Sequence, residues 1–174
     1  MDKTTLSKGI RPALLVIDVQ NRYMVSISQR DREIGIYFIN LLIELFRENN
    51  FPVIRIYHTD EVTGPLPQTE EFEFHSGIRI KQDDTMIIKT YPDSFNKTIL
   101  SEELNKSGIN TVFLCGQSAV GCVLATRTGA RNNDLNVFMV KDAIMCHNTE
   151  YTRNIEMMFD AVSYDVVKFM LENC

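Results

Sequence analysis

The feature that most constrains this chain is a set of short apolar runs separated by longer segments with helical spacing. The first run, Ala13 to Val19 (ALLVIDV), is unbroken except for one acid. Similar runs recur at Val53–Tyr57 (VIRIY), Thr85–Lys89 (TMIIK), Thr111–Cys115 (TVFLC) and Asn136–Val140 (NVFMV), and a short sixth is expected around Ala161–Ser163. Continuous runs of this length suit strands buried on both faces of a parallel sheet. Between the first two, Ile34, Phe38, Leu41, Leu42 and Leu45 fall at helical spacing, and Asn49-Asn50 followed by Pro52 supplies a stop. Further helices are expected at Ser101–Lys106, Val120–Asn132, Glu150–Phe159 and Asp165–Glu172. Strands alternating with helices imply an α/β fold: a doubly wound, mainly parallel sheet of about six strands in a three-layer, Rossmann-like α/β/α arrangement with right-handed crossovers. No linker, repeat or low-complexity tract divides the chain, so residues 1–174 are expected to form one domain. One segment, His58 to Asp84, has no period and carries Gly64, Pro65, Pro67 and Gly77. A loop of that length is usually functional or part of an interface.

Composition narrows the class of function. The formal net charge of -5 leaves no basic excess to neutralise phosphates, which argues against a nucleic-acid partner. No run reaches the roughly 18 apolar residues of a membrane span. The polar opening MDKTTLSKGIRP lacks the apolar stretch of a signal peptide. The expectation is a cytoplasmic protein with no membrane partner. The four cysteines, Cys115, Cys122, Cys146 and Cys174, contain no C-x-x-C pair, so a zinc ribbon or thioredoxin motif is not indicated.

In open parallel sheets ligands bind beyond the carboxyl ends of the strands. Asp18, His58, Lys89, the segment Gly116–Cys122 and Asp142 all fall at or after expected strand ends. A carboxylate inside ALLVIDVQ is costly unless something pairs with it. Asp18 is either a strand-end acid capping a turn or a general base. Lys89 is either a lysine reaching out to water or the partner of that acid. Cys122 lies at the start of an expected helix, where unpaired N–H groups favour a thiolate; the competing reading is a cysteine that merely packs helix on sheet. An acid, a lysine and a thiol brought to one edge would make a nucleophilic set. Gly116 and Gly121 have the spacing of a phosphate loop, but Cys122-Val123 stands where that motif needs Lys and Ser or Thr.

Taken together, these residues resemble the isochorismatase-like hydrolases, a superfamily that includes nicotinamidases and carbamoyl-amide hydrolases. The matching features are Asp18-Val19-Gln20 after an apolar strand, KTYPDSF from Lys89 to Phe95, Gly116 with Cys122-Val123 six residues on, and Asp142-Ala143. The resemblance spans nearly the whole chain, with the motifs in the family's order. It implies a catalytic triad of Asp18, Lys89 and Cys122, with a thioester intermediate formed on the cysteine during cleavage of an amide or related C–N bond. It also implies a non-proline cis peptide between Gln117 and Ser118, aiming N–H groups of Ser118 and Cys122 at an oxyanion. Gln20, His58, Tyr91 and Phe95 become candidate substrate contacts. Phe72 and Phe74 are further pocket candidates, with core packing as the competing reading. Ser118-Ala119 departs from the family's commoner threonine-bearing turn. The region YHTDEVTG lacks the Asp-x-His metal motif of nicotinamidases, so no metal and no cofactor are expected. Family likeness further implies a small-molecule substrate and a homo-oligomer, with the long loop or Tyr164–Leu171 at subunit contacts. The other readings are vinyl ether hydrolysis by acid catalysis at Asp18, a non-catalytic binding or assembly subunit, and a redox thiol protein.

Overall fold

The computed structural model describes residues 9–174, so most of the polar opening stretch lies outside the described residues. Five strands form one parallel sheet: β1 (Pro12–Ile17), β2 (Val53–His58), β3 (Thr85–Lys89), β4 (Thr111–Gln117) and β5 (Asn136–Met145). Their order across the sheet is β3-β2-β1-β4-β5. The helices are α1 (Asn21–Met24), α2 (Gln29–Glu48), α3 (Leu100–Lys106), α4 (Leu124–Asn132), α5 (Thr149–Met158) and α6 (Tyr164–Glu172). The expected sixth strand is a single parallel bridge between Val140 and Val162, too short to extend the sheet.

Strand β1 shows why the runs are continuous. Alternate side chains point to opposite faces, and both faces are covered. Leu14 and Val16 enter one core with Leu42, Ile43, Phe46 and Phe113, while Ala13, Leu15 and Ile17 enter the other with Ile56, Leu104 and Val123. Helix α2 begins five residues earlier than the apolar spacing implies, because Ser28 caps it by accepting a hydrogen bond from the Asp31 N–H. Its buried face is Ile39, Leu42, Ile43, Leu45 and Phe46, so Leu42 and Leu45 of the expected stripe are buried while Ile34, Phe38 and Leu41 are only partly so. Near its start Gly35 lies so close to Met145 that a Cβ would overlap the thioether.

Two departures matter for the site. Strand β5 runs on to Met145 through an irregularity opposite Leu114–Gly116, with Asp142 in the left-handed region at φ 63°. Asp142 therefore lies inside β5 rather than after it, and its N–H donates to Glu156. The irregular segment also folds back on the sheet. Phe74 bridges to Gln20, and Phe72 and Phe74 pack on Tyr57 with ring centroids 4.9 and 4.5 Å away. Both phenylalanines are buried in the core, the competing reading of their role. In α6, Val167 and Leu171 are buried whereas Val166 and Phe169 face outward. No helix among the described residues is long and apolar enough to cross a membrane.

Candidate active site

The strand order places four chemically distinct residues side by side. Parallel pairing sets His58 opposite Lys89 and Ile17 opposite Gly116, so the carboxyl ends of β3, β2, β1 and β4 present Lys89, His58, Asp18 and Gln117 along one edge. Asp18 leaves β1 with φ 50°, and its N–H donates to the Ile56 carbonyl. Such a left-handed turn is tolerated by aspartate better than by most side chains. Gly116 has φ 107°, and a Cβ there would lie 2.1 Å from the Ile17 carbonyl oxygen. Only glycine lets β4 run this close to β1 before the chain turns toward Cys122. The peptide bond between Gln117 and Ser118 is cis.

Lys89 is the centre of the arrangement. Its side chain is fully buried. Nζ donates to Asp18 Oδ2 at 2.7 Å and to Cys122 Sγ at 3.2 Å, and lies 3.2 Å from His58 Nδ1. An ammonium has three protons, and here each has one acceptor. Candidate ligand atoms of Asp18, His58 and Cys122 lie within 4.8 Å of one another, a spacing that could suit a metal ion. The same three groups surround the lysine nitrogen, so a positive charge already occupies their centre.

Cys122 does not sit in the first turn of a regular helix. From Ala119 to Val123 the chain makes one wide turn, broken at Gly121 (φ -118°, ψ -106°), and the Val123 N–H reaches back to the Ser118 carbonyl. Helix α4 starts only at Leu124. The expected lowering of the thiol pKa is not found. Burial, with the Asp18 negative charge adding to it, pushes the thiol up to about 12 against the opposing pull of Lys89. Burial also holds the Asp18 carboxyl above the ordinary carboxylate range, with Lys89 opposing. His58 is held below the ordinary histidine range, by burial and then by the Lys89 charge. Its neutral ring accepts at Nδ1, which leaves the proton on Nε2. Asp18 Oδ1 is buried with no hydrogen-bond partner.

Above these groups lies a cavity of about 270 Å³. Asp18, Cys122 and His58 line it, with Tyr23 and Ser26 from the segment after β1. Pro92, Gln117, Ser118 and His147 complete it. Of the expected substrate contacts, His58 lies in this lining. Gln20 does not: its carboxamide accepts from the His58 N–H and donates to the His58 and Phe72 carbonyls, tying β1 to β2 and to the long loop. Tyr91 is exposed and accepts a hydrogen bond from Lys97, and Phe95 packs against the core beneath α4. The KTYPDSF segment serves position instead. Ser94 and Thr126, both fully buried, join at 2.8 Å between hydroxyls, and the Ser94 N–H also donates to Thr126. The loop that follows Lys89 is thereby fastened to the helix that follows Cys122.

Comparison with known proteins agrees with this layout. The family model for the isochorismatase domain matches residues 12–164. The chain belongs to the isochorismatase family. Among its relatives is the uncharacterized isochorismatase family protein YddQ of Bacillus subtilis, 31% identical over 138 residues that cover 75% of this chain and 76% of the relative. A solved putative isochorismatase from Burkholderia xenovorans superposes with TM-score 0.85 over 95% of this chain and 89% of that one, at 22% identity. N-carbamoylsarcosine amidase from Thermoplasma acidophilum superposes with TM-score 0.75 over 88% and 95% of the two chains, at 23% identity. These structural likenesses establish the shared fold. The family places the chain among isochorismatase-like hydrolases.

Tyr23, Ser26 and His147 line the cavity of this isochorismatase-family chain without having stood out in the sequence, and Pro92 joins them from within the KTYPDSF motif. For His147 a signal existed. Ala143-Ile144-Met145 continues the apolar run past Lys141-Asp142, and reading β5 to its real end puts His147 two residues beyond the strand. Tyr23 and Ser26 lie in a polar stretch after β1 with no periodicity to mark them.

Proposed function

We propose that the protein hydrolyses an amide or related C–N bond of a small molecule, with Cys122 as nucleophile. The observation that carries this reading is the buried Lys89 ammonium, which holds the Asp18 carboxylate and the Cys122 thiol at 2.7 and 3.2 Å beside an open cavity. Because the thiol is hard to ionise in the free protein, attack and proton transfer belong to one event. The S–H proton passes to Asp18 as sulfur bonds to the carbonyl carbon, and Lys89 stabilises the negative charge on sulfur while it lasts. Backbone N–H groups of the Ser118–Cys122 turn receive the oxyanion. Asp18 then gives its proton to the leaving nitrogen as the C–N bond breaks, and a thioester remains. Water attacks the thioester and yields a proton to Asp18. The acid departs, and the proton returns to sulfur.

The test is release of ammonia or amine from a panel of small amides by wild type and Cys122→Ala. With any substrate found, the variant should lose at least 10³-fold in kcat/KM, on the order of the loss when a nucleophile is removed, with its circular dichroism and unfolding midpoint near wild type. Retention of most of the activity would refute thiol catalysis. A second reading draws on the raised pKa of the Asp18 carboxyl: acid catalysis of vinyl ether cleavage, which needs no thiol. Activity on a vinyl ether that survives Cys122→Ala but not Asp18→Asn would favour it.

A further inference from the structure

One buried thiol beside the cavity takes no part in the proposed reaction. Strand β5 pairs with β4 to its last residue, with Met145 opposite Gln117, so Ser118 and Cys146 come next beyond that pair. There the Ser118 hydroxyl donates to Cys146 Sγ at 3.5 Å, and the sulfur lies 3.4 Å from His147 Nδ1. Cys146 is buried, whereas Ser118 and the exposed His147 both line the cavity. Among the described residues the sulfur has no other hydrogen-bond partner, and His147 Nε2 has none.

We infer that Cys146 is a positioning residue that fixes the tautomer of His147, and that His147, through its Nε2–H, selects ligands carrying a hydrogen-bond acceptor. The direction of the chain of hydrogen bonds follows from the groups in it. Sulfur is a weak acceptor, whereas the unprotonated nitrogen of a neutral imidazole is an acceptor in need of a donor. With the Ser118 proton directed at sulfur, the thiol proton is free for Nδ1. A ring that accepts at Nδ1 carries its own proton on Nε2. Without the thiol, an exposed imidazole would exchange between its two tautomers, and the cavity would face a donor only part of the time. The ligand class is a small molecule with an ether or carbonyl oxygen away from the bond that Cys122 attacks. The ligand role rests on the amide-hydrolase reading, which takes this cavity as the substrate site; the tautomer does not depend on it.

Long-range proton–nitrogen NMR spectra of the His147 ring test the tautomer, recorded at about pH 8.5, well above the ordinary imidazole value of about 6.5. Wild type should show Nδ1 bare and Nε2 protonated. Cys146→Ala should show the two tautomers averaged, and Cys146→Ser, which keeps a donor, should restore the wild-type pattern. A proton on Nδ1 in wild type, or a pattern unchanged in Cys146→Ala, overturns the inference. Should Cys146→Ala not fold, Cys146→Val, which fills the space without a donor, takes its place. Methoxyacetamide and butyramide, equal in length and differing by an ether oxygen in place of a methylene, test the ligand role. Both are titrated against Cys122→Ala, which lacks the nucleophile, with and without His147→Leu. The ratio of their dissociation constants should favour methoxyacetamide by at least about threefold more when His147 is present, on the order of one hydrogen bond. An equal ratio in the two proteins, or no binding of either amide, overturns the ligand role. Loss of the hydrolase reading alone would look different: tautomer and preference intact, with no amide turned over by wild type.

Discussion

Lys89 and Asp18 each break the apolar rule of their own strand, and each is tolerable only because of the other. A buried ion pair contributes little net stability, yet removing one partner leaves an uncompensated charge. Lys89→Met should therefore lower unfolding free energy by about 3–5 kcal/mol in urea titration, and adding Asp18→Asn to it should recover part of the loss. The thiol makes a pH-dependent contribution whose sign follows from its direction of shift. In the unfolded chain Cys122 ionises near 8.5, but in the fold only at about 12. Above the lower value the unfolded state sheds a proton that the folded state keeps, so the stability contributed by the thiol is whole below it and declines as pH rises toward 12. Wild type should lose more stability than Cys122→Ala between pH 8 and 11, measured by urea unfolding at each pH. The same physics means that Cys122 should not behave as a preformed thiolate at neutral pH. Alkylation there should accelerate only in the alkaline range.

At the scale of elements, the site is held by three connections between segments distant in sequence. Gly116 permits the close approach of β4 to β1, Gln20 ties β1 to β2 and the long loop, and Ser94–Thr126 ties the loop after β3 to α4. The last fixes the distance between Lys89 and Cys122, since it joins the chain just beyond each. Thr126→Val keeps the shape of the side chain but leaves the buried Ser94 N–H without its acceptor and the Ser94 hydroxyl without its hydroxyl partner, a cost of about 1–3 kcal/mol. On the amide-hydrolase reading, kcat should fall more than KM changes, because the nucleophile and its lysine lose their fixed spacing; steady-state kinetics with the best substrate of the panel would read this. Within the KTYPDSF pattern, Ser94 docks the loop on Thr126 and Phe95 packs against the core. The sequence could not distinguish these roles, because the position of Thr126 opposite Ser94 depends on how β3 and α4 are brought together.

For the molecule as a whole, stability resides in two cores on either side of a sheet without hairpins, and the chemistry lies along its carboxyl edge. Phe113 sits on the interior strand β4, fully buried and flanked by Phe46 and Phe138 at 5.6 and 5.3 Å. Phe113→Ala should cost about 3–5 kcal/mol, whereas Ile88→Ala on the edge strand β3, where the side chain is 41% exposed, should cost well under half of that in the same urea titration. Apolar runs and helical spacing determined the alternation of strands and helices, and with it the parallel sheet and the edge where reactive groups gather, because burial on two faces demands continuous hydrophobicity. They also exposed Asp18 and Lys89, since a lone charge in such a run must find a partner. Tertiary structure decided what pattern cannot carry. It withdrew Gln20, Tyr91 and Phe95 from the cavity, brought in Tyr23 and His147, and placed the neutral imidazole of His58 against Lys89. It also raised the Cys122 pKa where a helix start would have lowered it, because burial and neighbouring charge arise only when distant segments meet.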